Sequence, residues 1–279
     1  MKRDTTPESM AEEATAAPSG WLAAQSLARR ELTRFFRQPN RVFGALGQPI
    51  LFWIFFAVGL GPSFRAPGAE GVSYGQFFFP GTVALIVLFT AIFTTISVIE
   101  DRKEGFLQGV LVSPAPRWSM VLGKVGGGAL IALFEGVLFL ALGWVIGVRP
   151  APIGFLLAVL FLFLIALELT ALGFVFAWRT DSTQGYHAVM SLLLFPMWLL
   201  SGAFFPAEST WLAWIVRLNP LTYGVAGLRR LLYWGTENPP LAPGLPNMAV
   251  SWTMTLLAAA LFFGAAVWVT TRPTKAELA

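Results

Sequence analysis

The chain has 279 residues, 56% of them hydrophobic and only 12% charged, with a mean hydropathy of +0.67. Soluble domains carry about 25% charged residues, and a water-soluble core of this size cannot hide so much apolar surface, so lipid is the expected solvent. A net charge of +4 and a pI near 9.8 could fit nucleic acid, but the placement of the charges argues against it, and the lack of cysteine excludes disulfides, thiolate chemistry and Cys-held metal.

Residues 1–20 are polar, rich in Ala, Thr and Glu, and lack an apolar h-region. They read as a disordered cytoplasmic tail and not as a signal peptide. Next comes WLAAQSLARRELTRFFRQP, 21–39. At about 100° per residue, Trp21, Ala24, Ala28, Leu32, Phe35 and Phe36 share one face, and Arg30, Arg34 and Arg37 the opposite one. That pattern predicts an amphipathic helix at the inner-leaflet interface, ended by Pro39. A solvated charged helix is the plainer alternative, against which stand the Trp and the Phe pair.

A spanning helix needs about 20 mostly apolar residues. Six segments qualify: 42–60, 77–99, 120–148, 152–177, 188–205 and 249–271. An even number puts both termini on one side. With the termini in the cytoplasm, the inner segments hold Lys2, Arg3, Arg29, Arg30, Arg34, Arg37, Arg41, Arg102, Lys103, Arg117, Lys124, Arg179, Arg272 and Lys275. The outer segments hold only Arg65, Arg149, Arg217, Arg229 and Arg230. The excess inside supports that orientation, and it makes the basic pI a matter of topology, with no nucleic-acid partner.

The loop between spans two and three, IEDRKEGFLQGVLVSPAPRW (99–118), then faces the cytoplasm. The run from Glu100 to Glu104 supplies charge and Gly105 breaks the helix. Phe106, Leu107, Val110 and Leu111 supply apolar anchors, and Pro114 and Pro116 stiffen the return. Such a loop looks built to be held by a partner; a plain connector kept wet by its charges is the alternative.

Spans three and four each carry a carboxylate. Glu135 lies 11 residues past Lys124 and Glu168 lies 11 residues before Arg179, so both sit about 16 Å from the same membrane face. A charge near the midplane usually faces a cavity or a partner. The pair is a candidate polar site beside a transport pathway, favouring cationic or hydrogen-bonding cargo. A neutral Glu that only bonds between helices is the alternative. Gly126-Gly127-Gly128 predicts close helix packing, and Pro49 and Pro196 predict kinks in spans one and five.

Two further features carry less. GVSYG (71–75) matches a hydrolase pattern, but Ser73 and His187, the only histidine, fall on opposite sides of the bilayer. His187 reads as an interfacial polar residue. Between spans five and six, WLAWIVRLNPLTYGVAGLRRLLYW (211–234) is apolar yet holds Arg217, Arg229 and Arg230, which make a full crossing costly. Asn219-Pro220 splits it. It reads as two half-helices dipping into the outer leaflet, within a re-entrant region of about 206–234.

Glu100, Glu104-Gly105, Leu111, Ser113-Pro114, Arg117 and Gly123-Lys124 resemble the signature of ABC-2-type transporter permeases. Asn219-Pro220-Leu221-Thr222-Tyr223 before the last span strengthens the resemblance, which covers about 21–272. It implies an all-α integral membrane protein with six transmembrane helices, an N-terminal interfacial helix and a re-entrant hinge at Asn219, Pro220 and Tyr223. The same resemblance makes the 99–118 loop the docking site for a separate ABC ATPase subunit, through Glu100, Arg102, Glu104, Gly105, Phe106, Leu107, Pro114 and Arg117. One departure is Phe106-Leu107-Gln108, where the family often has Thr and a later Glu, which implies a differently shaped groove on the partner.

The phosphate-binding pattern G-x-x-x-x-G-K-[ST] is absent, since Val125 follows Gly123-Lys124. ATP and Mg therefore belong to the partner subunit, and this chain is expected to have no catalytic residue, bound cofactor or metal. Six spans are half of the usual membrane domain, so the resemblance implies two ATPase copies and a homodimer or a pair with a similar permease. The expected setting is a bacterial or archaeal plasma membrane, the expected activity export of a lipophilic, lipid-linked or polysaccharide cargo. ATP-driven closure of the ATPase pair would push on the 99–118 loop and shift spans one, two and five. The alternatives are a proton- or ion-coupled transporter using Glu135 and Glu168, a non-transport scaffold and an intramembrane enzyme.

Overall fold

In lipid an apolar run must satisfy its backbone within itself, which leaves the helix as its conformation. The computed structural model describes residues 19–61, 72–203, 213–236, 239–241 and 244–272, without the side chains of Arg41 and Ala45. Among these residues the regular structure is entirely helical, and six helices are long and apolar enough to cross a membrane. The expected tails, Arg65 and residues 206–212 lie outside the described residues.

In chain order the helices are α1 (Gly20–Phe36), α2 (Pro39–Leu60), α3 (Tyr74–Lys103), α4 (Phe106–Val112), α5 (Arg117–Leu142), α6 (Pro152–Arg179) and α7 (Thr183–Trp198). A π-turn, Leu199–Ala203, continues α7, and α8 (Ala213–Leu218), α9 (Pro220–Leu232) and α10 (Met248–Thr270) follow. The helix of the third span stops at Leu142, six residues before the expected end, and the chain turns over 143–147 with Gly147 at φ +87°.

Helix α3 is the pillar of the fold. Its most apolar window is 89% buried, against 6% for α2. It packs on α2, α5, α6 and α7, while α6 also carries α9 and α10. Two prolines lie in helices beside α2's Pro49: Pro80 in α3 and Pro196 in α7. Pro80 has no N–H for the Gln76 carbonyl, and the Tyr233 hydroxyl donates to that carbonyl instead, at 2.7 Å.

Helix α1 lies against α5. A Cβ on Gly123 would sit 2.8 Å from the Ala24 carbonyl, and one on Gly127 3.1 Å from the Ala28 Cα, so the Gly-x-x-x-Gly stripe admits the α1 backbone. In the predicted triplet, Gly127 thus meets α1, Gly128 meets Thr94 and Thr170 on α3 and α6, and Gly126 has open space. The predicted apolar face of α1 divides. Ala24 and Phe35 are buried with Leu27 and Glu31, whereas Trp21 and Phe36 are 65% and 50% exposed. The sequence pattern merges a bundle-facing side and an exposed side into one.

Candidate functional site

The end of α3 is built to turn sharply. Glu104 caps the helix, Gly105 takes φ +76°, and α4 begins at Phe106. A left-handed residue at this point suits glycine, because any Cβ would meet the following carbonyl. Ser113, in extended backbone, ends α4, and its hydroxyl donates to the Val110 carbonyl at 2.7 Å. Pro116 then precedes α5.

Of the eight residues expected to meet a partner, several are held inside this chain instead. Glu100 accepts from Arg34 at 2.7 Å. Arg102 donates to the Trp178 carbonyl at 2.5 Å and pairs with Asp181 at 3.5 Å, tying α3 to the α6–α7 turn. Phe106 lies under the Arg30 guanidinium, 3.8 Å from its centre, and Leu107 is buried. Arg117 is half-buried with Nη1 unpartnered among the described residues. The loop's exposed side chains are Glu104 and Pro114 from the expected set, with Lys103, Gln108, Val112, Pro116 and Trp118, beside the bare backbone of Gly105 and Gly109. Phe106 and Leu107 seat α4 on the bundle, Phe106 half-buried against Arg30 and Leu107 buried.

Behind the loop lies a charge network that the sequence reading did not assemble. Asp101 is fully buried and accepts from Arg30 Nη1 and Nη2, both at 2.8 Å, and from Arg34 at 3.0 Å. Lys124 bonds Asp101 directly and Glu31 at 2.6 Å. Three cations (Arg30, Arg34, Lys124) meet three carboxylates (Glu31, Glu100, Asp101) across α1, α3 and α5, with Glu104 at the rim, 3.8 Å from Arg34. The hydrogen bonds to Asp101 raise the Arg30 guanidinium above its ordinary value, against the opposing effect of burial. Removing one partner of such a buried pair is costly, because the other charge is left uncompensated. No local spacing signals this network: Lys124 lies 23 residues from Asp101 and 93 from Glu31.

The two midplane carboxylates are both fully buried, but they are not hydrogen-bonded to each other. Glu135 meets the Thr90 hydroxyl on α3, which also lies 2.9 Å from the Ile86 carbonyl. Both Glu168 oxygens lack a hydrogen-bond partner among the described residues. Around them run further polar pairs, such as Thr95 with the Tyr186 hydroxyl at 2.5 Å. His187 sits beside the Phe93 ring, centroids 6.0 Å apart.

At the opposite end, Asn219-Pro220 separates α8 from α9 as expected. Asn219 caps α9 by accepting from Leu221, and its amide donates to the Met197 carbonyl at 2.5 Å. Tyr223 reaches back to the Arg217 carbonyl at 2.7 Å. The Asn219-Pro220 break is thus braced on the end of α7, just before the π-turn, whose Gly202 has φ +76°. Arg229, read from the sequence only as a barrier to crossing, is fully buried. Its guanidinium donates to the carbonyls of Phe77 (3.2 Å) and Gly202 (3.3 Å) and stacks on the Phe77 ring. Nε and Nη1 have no partner among the described residues.

This arrangement has known relatives. The chain is 27% identical over 210 residues to ycf38 of Cyanophora paradoxa, which is named a transport permease, covering 74% of this chain and 72% of that one. It is 26% identical over 226 residues to the "Probable doxorubicin resistance ABC transporter permease protein DrrC" of Mycobacterium tuberculosis, covering 77% of each. Against the "Probable multidrug ABC transporter permease YbhR" of Escherichia coli the identity is 28% over 157 residues, 54% of this chain but only 42% of that protein. Residues 23–233, from α1 to the end of the α9 half-helix, match the ABC-2 type transporter family. The chain therefore belongs to that family and is a multi-pass membrane permease.

Proposed function

We propose that this permease is the membrane subunit of an ATP-driven exporter, paired with a second permease and powered by two separate ATPase subunits docked on the 99–118 loop. The observation that carries the reading is the division of labour within the loop. One side is anchored by Glu100, Arg102, Phe106 and Leu107, and the other offers Glu104, Gly105, Gln108, Val112 and Pro114 to a partner. A surface held this firmly from behind can pass a push into α3 and α5, because Asp101 and Lys124 join both helices directly. The charge asymmetry supports a cytoplasmic placement of the loop and termini in a bacterial or archaeal plasma membrane.

Export is supported by the names of two relatives, one for multidrug transport and one for doxorubicin resistance. The cargo class is lipophilic, lipid-linked or polysaccharide. Affinity purification from native membranes tests the reading, with the exposed-surface variant Glu104→Arg/Val112→Asp alongside. Co-purification of a phosphate-loop ATPase with the parent and its loss from the variant is the expected result. An intact permease that brings down no ATPase, and whose transport follows the proton gradient, would move the Glu135 and Glu168 alternative to the front.

A further inference from the structure

Helix α1 has three sides. Ala24, Leu27, Glu31 and Phe35 face the bundle. Trp21 and Phe36 are exposed and apolar, and Trp21 stacks edge-on to Trp118, itself partly exposed, with ring centroids 5.7 Å apart. Between the lipid-facing edge and the Asp101 network lies a shallow groove of about 680 Å³, lined by Ser26, Arg29, Thr33 and Arg37, with Arg30 and Arg34 on its wall. Arg30 and Arg34 are committed to carboxylates. Arg29 and Arg37 are exposed and make no ion pair among the described residues, and no carboxylate lines the groove. They stand two helical turns apart, about 12 Å along the axis, with the Thr33 side chain between them.

A basic stripe immediately beside exposed Trp and Phe places positive charge at the level where phospholipid phosphates lie. Arginine forks suit phosphate oxygens, and the Ser26 hydroxyl adds a further donor at the groove, the Thr33 hydroxyl being donated to the Arg29 carbonyl at 2.8 Å. We propose that this groove binds the phosphate of an anionic phospholipid, held by Arg29 and Arg37 with its acyl chains along Trp21 and Phe36. The proposal rests on α1 lying at the membrane surface and not on the ATPase partner.

Native mass spectrometry of the full chain in neutral detergent tests it, with phosphatidylglycerol and phosphatidylcholine of matched chains as probes. Phosphatidylglycerol should bind more tightly than phosphatidylcholine. Arg29→Gln/Arg37→Gln should weaken it about 30-fold, since each basic residue near an anionic surface is worth about fivefold. Arg29→Lys/Arg37→Lys should keep most of the affinity. On the parent protein, rising salt should weaken phosphatidylglycerol and leave phosphatidylcholine unchanged, a check that needs no substitution. Equal affinity for the two lipids, or parent-like binding by the Gln variant, overturns the proposal. So does displacement of the lipid by an equal concentration of glycerol 3-phosphate, which would make this a soluble-phosphate site. Exclusion of the lipid by an added ATPase subunit would assign the face to a protein and would also overturn it. The measurement uses the permease alone, so failure to find an ATPase leaves its result intact.

Discussion

The two ends of the bundle bury positive charge in opposite ways. At the α1 end, Arg30, Arg34 and Lys124 share Glu31, Glu100 and Asp101, so each buried charge has a counter-charge. At the α9 end, Arg229 is fully buried on two backbone carbonyls and one ring, with no ion pair among the described residues. The first arrangement joins three helices through charges that cannot be removed singly. The second grips carbonyls of α3 and of the π-turn, where the regular ladder of hydrogen bonds is interrupted at Gly202. A paired network resists change. A cation held by neutral dipoles leaves no stranded counter-charge when it is replaced.

The largest break in that comparison is Asp101→Ala. It leaves the three cations Arg30, Arg34 and Lys124 with only Glu31 and Glu100 inside the network, and removing one partner of a buried pair costs about 3–5 kcal/mol, so little folded permease should survive detergent extraction, as read by fluorescence-detected size exclusion. Lys124→Met alone should also destabilise, by leaving Glu31 poorly paired. Adding Glu31→Leu should recover most of the loss, because no lone charge then remains. Failure of the double variant to recover would mean that the network is not the unit described.

Glu168→Leu should act in the other direction. Both carboxyl oxygens are buried without a partner among the described residues, and removing an unsatisfied polar group is worth about 1–3 kcal/mol, seen as a higher melting temperature. Glu135→Leu should gain less, because the Thr90 contact is lost with the carboxyl. If Glu168→Leu raises stability while transport falls, the residue is retained for function. If transport is unchanged, the midplane polar site loses its case.

The smallest effect sharpens the comparison most. Arg229→Met removes a buried cation and two long hydrogen bonds together. Replacing a buried charge by an apolar side chain of similar size is often neutral, so stability should move by about 1 kcal/mol or less. Transport should fall more than stability does, since the π-turn is no longer held to α3. Melting temperature and transport measured on one preparation separate the two. A loss as large as that of Asp101→Ala would erase the distinction between the ends.

Apolar length was sufficient for the all-α membrane architecture, since lipid leaves a long apolar run no conformation but the helix. The break at Gly105 and the split at Asn219-Pro220 were also readable, because glycine and proline act on their own backbone. Partners distant in sequence were not. Asp101 lies 71 residues from Arg30 and 23 from Lys124, and Phe77 lies 152 from Arg229. Helical periodicity sorts residues around one helix but says nothing about which neighbour each side meets. That is why the single apolar face read for α1 divides into a bundle-facing side and an exposed side, and why the seating of Phe106 and Leu107 on the bundle was not legible. The sequence by itself determined which segments are helices and where the chain must bend, through local sterics and the cost of exposing peptide groups to lipid. Only the tertiary structure decided which charges meet and which residues of the loop stay outside, because those depend on how helices pack across dozens of intervening residues.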